Sequence, residues 1–242
     1  MKKIILLSFV FLVSQWSTAQ WFGQNTIKGN GNVIKENRKT ADYDHIKMLG
    51  FFDVELISGE EGSIIVTGEE NLITHIVTTV KGNTLTIEVE SGYNLKPSKR
   101  TGILVRVPFE TINEVTLTGS GNVYTKDVIT SDNLKTTLTG SGDITLNLEV
   151  QNLETLVVGS GDVELYGNAQ KVSYKLTGSG DIEAFNLKAE DAQATITGSG
   201  DIDLNCQSTL KVRIAGSGDV TYTGNPSKED SKISGSGEVS RE

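Results

Sequence analysis

The stretch Leu176-Thr177-Gly178-Ser179-Gly180-Asp181-Ile182-Glu183-Ala184 decides the fold, because the chain repeats its pattern along its whole second half. Gly-Ser-Gly begins at Gly119, Gly140, Gly159, Gly178, Gly198, Gly216 and Gly235, at spacings of 21, 19, 19, 20, 18 and 19 residues. A period near 20 is too long for a heptad and too short for a helical hairpin, and it suits one turn of a β-solenoid. Two residues before each first glycine stand Leu117, Leu138, Val157, Leu176, Ile196, Ile214 and Ile233. Four residues after it stand Val123, Ile144, Val163, Ile182, Ile202, Val220 and Val239. Apolar residues at even offsets and polar ones at odd offsets are the signature of a strand with one buried face. Thr118, Thr139, Thr177 and Thr197 fall on the opposite face, where β-branched residues suit an exposed strand.

Each coil of about 19–20 residues is therefore expected to run strand, Gly-Ser-Gly corner, strand, then a looser return of variable sequence. Glycine permits the sharp bend, and a corner repeated at one place in every coil pins the register. Loop variation on one side of a regular stack is where a solenoid usually varies its recognition surface. The predicted class is all-β, a parallel β-helix with an irregular N-terminal region that acts as a cap.

Around this core the chain divides readily. Lys2 and Lys3, the apolar run Ile4 to Val13 and the small residues Ser17-Thr18-Ala19 read as a secretory signal peptide over residues 1–19, cleaved between Ala19 and Gln20. The apolar run is too short for a membrane anchor, so the mature chain is expected to carry no transmembrane segment. Residues 20–32 read as a flexible lead-in and 33–242 as the solenoid domain, with an irregular part over 33–110 and regular coils over 111–242. Gly29-Asn30-Gly31-Asn32-Val33 looks like an early, degenerate corner, and Glu69 to Ile76 could form one or two helical turns. Ser91 to Thr101 is the clearest long loop.

The formal net charge is −9, and removing Lys2 and Lys3 with the signal gives −9 − 2 = −11. So acidic a chain repels nucleic acid and anionic lipid surfaces. The single cysteine, Cys206, permits no internal disulfide and reads as a buried small hydrophobe. The destination is the periplasm, the cell surface or the medium.

Five aspartates follow the corners at one fixed position: Asp143, Asp162, Asp181, Asp201 and Asp219, with Asn122 and Glu238 at the ends. Charges stacked about 4.8 Å apart repel by roughly 1 kcal/mol in water and about 3.5 kcal/mol at an effective dielectric of 20. Something must offset this. Backbone N–H groups of each aspartate's own corner are the expected partners, with bound Ca2+ as the alternative. No other cofactor is implied.

Enzymatic signatures are sparse. His45 and His75 lie in no metal-ligand or nucleophile spacing, and the Gly-Ser-Gly corners are too numerous for one nucleophile site. A carbohydrate-active enzyme on a β-helix would need paired carboxylates at one distinctive place. A surface cleft with two carboxylates plus Lys or Arg, away from the repeated corner, would favour that alternative. Lys96, Lys99 and Arg100 form a small basic cluster on the long loop.

These residues together resemble the head-GIN domain family of auto-transporter adhesins, found in exported proteins of Bacteroidetes-type bacteria. The resemblance rests on the Gly-Ser-Gly-Asp-Val/Ile repeats, on Val105-Arg106-Val107-Pro108 ahead of Leu117-Thr118-Gly119-Ser120-Gly121, and on Phe52-Asp53-Val54-Glu55-Leu56. It covers roughly residues 33 to 220. It implies a right-handed parallel β-helix and a non-enzymatic, adhesin-like role toward a glycan, matrix or cell-surface protein. It brings no catalytic or binding residues with it. A structural envelope protein without an external ligand is the third reading.

Overall fold

The computed structural model describes residues 25–98 and 101–242. The signal peptide expected over 1–19, its cleavage point at Ala19 and Gln20, and two members of the basic cluster, Lys99 and Arg100, lie outside those residues.

The N-terminal part comprises β1 (Asn25–Lys28), β2 (Val33–Lys39), β3 (His45–Gly50), β4 (Asp53–Ser58), β5 (Ser63–Glu69), α1 (Glu70–Ile73), β6 (Ile76–Lys81), β7 (Thr84–Val89), β8 (Tyr93–Lys96) and β9 (Leu104–Phe109). The coils follow as β10 (Glu114–Gly119), β11 (Asn122–Gly140), β12 (Asp143–Gly159), β13 (Val163–Gly178), β14 (Ile182–Gly198) and β15 (Ile202–Gly216). The last turns are β16 (Val220–Gly224), β17 (Lys228–Gly235) and β18 (Val239–Arg241). The protein is a parallel β-solenoid.

Each long strand runs from one corner to the next, around a whole coil. Pairing sets glycine on glycine: Gly119 with Gly140, Gly140 with Gly159, and so on to Gly216 with Gly235. The stretches expected to be looser returns are paired as well. Ile129 pairs with Leu148 and Leu148 with Gly167, and Ile129, Leu148, Leu187, Ala189 and Cys206 are all buried. Backbone groups on this side would otherwise lose their partners, so the ladder continues around the coil.

Uneven spacing is absorbed in bulges. The 21-residue coil inserts its two extra residues between Tyr124 and Val128, since Tyr124 pairs with Thr145 while Val128 pairs with Asn147. The next irregularities fall between Glu164 and Gly167 and between Ala184 and Asp191. All precede the return to the next corner, so the strand entering each corner is always in register.

The two glycines of a corner serve different ends. Gly140 has φ +129°, and a Cβ there would stand 2.2 Å from the Gly119 carbonyl oxygen. Gly142 needs no positive φ, yet its Cβ would stand 2.1 Å from the Gly121 oxygen. The Ser141 N–H meanwhile donates to the Gly119 carbonyl at 2.9 Å. Coils can stack this closely only where neither glycine has a side chain.

The first corner in the stack is Gly50-Phe51-Phe52. β3 pairs in parallel with β10, placing Gly50 on Gly119, and β4 pairs with β11 and β9. The Gly29–Val33 segment, expected as the early corner, lies elsewhere. β1 pairs with β8 in a separate two-stranded sheet, so the expected flexible lead-in contains a strand. The loop after β1 is tied to the Glu69 carboxylate, which accepts the N–H groups of Gly31 at 2.6 Å and Ser98 at 2.9 Å. Antiparallel pairs β2–β5, β5–β9 and β6–β7 change the pairing pattern at this end of the column. Such a change covers the edge that a bare first coil would expose. No helix of the described residues is long and apolar enough to cross a membrane.

Inside, Tyr174 is the largest fully buried side chain. The following coil supplies Ala184, Ala189, Ala192 and Ala194, all buried, so the phenol occupies volume that this coil leaves free. Cys206 is buried in the next coil, and burial pushes its thiol pKa up.

Candidate functional site

The five corner aspartates form one continuous ladder, and each carboxylate is held by the coil that follows. Asp143 Oδ1 accepts the Asp162 N–H at 3.3 Å, Asp162 that of Asp181 at 2.9 Å, and Asp181 that of Asp201 at 2.8 Å. Asp201 accepts from Asp219 and Asp219 from Glu238, both at 2.7 Å. The donor is not the aspartate's own corner, as expected, but the neighbouring corner's N–H, one rung further along. The file also begins earlier than the repeats show, because Asp53 Oδ1 accepts both the N–H and the side-chain amide of Asn122. A charge-assisted hydrogen bond at each step offsets much of the repulsion between rungs. Among the described residues, no group of three or more His, Cys, Asp or Glu is placed to hold a metal ion.

Beside this ladder, two residues along each strand, Glu164, Glu183 and Asp203 form a second acidic row. Burial, then the neighbouring carboxylates, raises the pKa of Glu183 and of Asp203. This face is strongly negative, and a shallow hollow of about 370 Å³ on it is lined by Asp143, Asp162, Glu164 and Glu183.

A broad, open concavity of a different character lies on the returning side. It is a groove of about 1150 Å³ that crosses the strands from Thr111 and Asn113 to Thr209 and Lys211. Two side-chain rows line it: Asn133, Asn152, Lys171, Asp191 and Thr209, and then Lys135, Glu154, Ser173, Gln193 and Lys211. Between the rows stand Leu134, Leu153, Val172 and Ala192, turned into the core. Hydrogen bonds already link some of the polar groups. The Asn152 amide donates to Asn133 Oδ1 at 3.0 Å, and Ser131 Oγ to Asn113 Oδ1 at 2.8 Å, which closes the N-terminal end.

The groove's charges balance: Asp132, Glu154 and Asp191 against Lys135, Lys171 and Lys211. It therefore has the composition named above as favouring a carbohydrate-active enzyme. Its electrostatics supply one half of such a pair. Glu154 is bound at 2.8 Å by Lys175, whose hydrogen bond lowers its pKa, so it is held as an anion. Acid–base pairs in glycoside hydrolysis need one carboxyl with a raised pKa. The carboxyls with raised pKa, Glu183 and Asp203, lie on the acidic face instead.

The remaining candidates are dispersed. His75 Nδ1 lies 2.7 Å from Glu90 Oε2 and its ring stacks on Tyr93 at 4.1 Å, at the cap. His45 lies 3.6 Å from Asp44 Oδ1, and Lys96 ends β8. The two-residue bulge in β11 has a clear structural role. It brings Lys126 to 2.9 Å from the buried Glu55, which also pairs with Arg106, and it sets Asp127 Oδ2 to accept the Ser58 N–H at 2.7 Å. These contacts clamp the first regular coil to the N-terminal strands and hold the Glu55 pKa down, through Lys126 first and then Arg106.

The groove escaped the sequence reading, although a signal for it exists. Its rows stand seven and five residues before the next corner in every coil: 140 − 133, 159 − 152, 178 − 171, 198 − 191 and 216 − 209 all equal 7. Counted forward from the preceding corner the same residues fall at 14, 12, 12, 13 and 11, because the bulges intervene.

Among solved structures, the chain is similar to a putative adhesin from Bacteroides fragilis NCTC 9343, at 25% identity and TM-score 0.83, covering 89% of this chain and 100% of that one. It is also similar to a putative lipid binding protein from Parabacteroides distasonis ATCC 8503, at 28% identity and TM-score 0.75, covering 90% and 100%. A putative adhesin from the same Parabacteroides strain matches at 26% identity and TM-score 0.72, covering 90% and 100%. No curated protein matches the chain. Over residues 42–226, most of its length, the chain matches the family described as "Putative auto-transporter adhesin, head GIN domain", and it belongs to that family.

Proposed function

We propose that the protein is an exported, non-enzymatic binding module of adhesin type, and that the groove on the returning side is its recognition surface. The observation that supports this is the groove itself: a concave strip of mixed polar and apolar lining, built from the same two positions of five successive coils. Binding there draws on many modest contacts over a large area, which suits attachment to an extended surface ligand such as a glycan or matrix chain. The acidic ladder is structural in this account and binds no Ca2+. The signal peptide over residues 1–19 delivers the chain to the cell envelope.

A polysaccharide-active role is the second reading, favoured by the three carboxylates and three lysines in the groove. With Lys175 keeping Glu154 ionised, Glu154 fits only the base or nucleophile of such a pair, and the acid has to be another carboxyl. The likeness to a lipid binding protein finds little support in a core filled by side chains such as Tyr174, although the groove's lining exposes apolar and polar surface in similar measure.

An array of glycans and matrix proteins, probed with the mature chain beside an attachment assay on a deletion strain, tests the proposal. Binding without product release supports it. Turnover of a bound polysaccharide, or silence in both assays, overturns it.

A further inference from the structure

Three features of the groove say more about its ligand, on the premise that the groove is the recognition surface. The first is periodicity. The two lining rows advance one rung per coil, in a parallel ladder from Lys135 to Lys211. Rungs lie about 4.8 Å apart, so five of them span roughly 20–24 Å across the strands. A ligand lying along the column meets a similar pair of positions at each step.

The second is volume. About 1150 Å³ lies just above the roughly 300–1,000 Å³ of sites for one small molecule, and the strip is open along its length. A polymer segment fills it and a single small unit does not.

The third is charge. The groove balances three carboxylates with three lysines, whereas the corner face presents the Asp143 to Asp219 ladder and the Glu164, Glu183 and Asp203 row with no lysine among them. A polyanion gains little in the groove and is repelled by the rest of the molecule. A polycation is drawn to the corner face. Amides and hydroxyls of Asn133, Asn152, Ser173, Gln193 and Thr209 offer both donors and acceptors, the complement of a hydroxyl-bearing chain.

We infer that the groove binds an uncharged, hydroxyl-rich linear polymer, a neutral polysaccharide, extended along the solenoid axis and gripped over about five rungs.

The test is a titration of the mature protein with neutral linear oligosaccharides of two to eight units, at low and high NaCl, beside a polyuronate and a sulfated glycan. Affinity is expected to rise at least tenfold between two and five units and then level off. Salt is expected to change it less than twofold, because no ion pairs form. Ser173→Trp, which fills the middle of the groove from an outward-facing position, should abolish binding while leaving the circular dichroism spectrum and melting temperature in place. Asn152→Ala, which removes one amide from the row, should weaken it severalfold. Binding only to the charged glycans, or affinity independent of length, would overturn the inference. If Ser173→Trp abolishes attachment to a matrix protein while every neutral oligosaccharide fails to bind, the groove reading stands and the polymer class is wrong.

Discussion

The Asp181 carboxylate and the Asp201 backbone N–H lie 2.8 Å apart on successive coils, and this contact is what lets like charges stack in one file. Each rung adds a donor for the carboxylate below it. The ladder thus converts a repulsive column into a chain of charge-assisted hydrogen bonds.

Asparagine can accept the same bond through Oδ1. Asp181→Asn is therefore expected to stay within about 0.5 kcal/mol of wild type, whereas Asp181→Ala should cost about 1–2 kcal/mol by leaving the Asp201 N–H unpartnered. Urea denaturation of both variants decides this. Millimolar Ca2+ against EDTA should leave the melting temperature unchanged, and a rise of several degrees would put a cation in the ladder.

The corner glycines admit a sharper contrast. Gly140→Ala should prevent folding or cost more than about 4 kcal/mol, since its Cβ would meet the Gly119 carbonyl at 2.2 Å. Gly92 also has a positive φ, at +88°, but nothing lies within 4 Å of its Cβ position. Gly92→Ala should cost only about 1–2 kcal/mol. Soluble yield and thermal melts separate the two.

Within the core, the Tyr174 hydroxyl is buried and has no hydrogen-bond partner among the described residues. Removing an unpaired buried hydroxyl at constant shape is neutral or favourable. Tyr174→Phe should therefore melt at or above the wild-type temperature. Tyr174→Ala should lose about 3–5 kcal/mol, because the alanines of the next coil cannot fill the space.

Glu55 predicts a pH effect whose sign follows from its lowered pKa. Its contribution is fully present above the unfolded carboxyl pKa of about 4.3 and is lost as pH falls through the folded value below that. Glu55→Gln should weaken the protein near pH 7 by about 1–2 kcal/mol, since Lys126 and Arg106 stay solvated, with a flatter acid limb in a plot of stability against pH. Lys126→Ala should move the same limb in the same direction by less.

Much of the architecture was legible because the corner positions repeat at fixed offsets: Leu176 and Ile182 could be assigned to the core from their distance to Gly178 alone. Gly50 could not be found in this way. Phe51 and Phe52 stand where serine and glycine stand in later corners, and only the pairing of Gly50 with Gly119 reveals the match. Asp53 was hidden with it, since its place at the head of the carboxylate file depends on that corner. The groove was obscured for another reason. Bulges between Tyr124 and Val128, and between Ala184 and Asp191, shift the forward count within their own coils, so Asn133, Asp191 and Thr209 fall out of step with Asn152 and Lys171 and the row does not show.

Attachment through the groove requires the returning side and not the acidic face. The most direct measurement compares beads coated with wild-type protein, Ser173→Trp and Asp181→Asn for adhesion to the same glycan and matrix array. Adhesion is expected to vanish for Ser173→Trp and to persist for Asp181→Asn. Undiminished adhesion by Ser173→Trp, with loss in Asp181→Asn, would contradict the account.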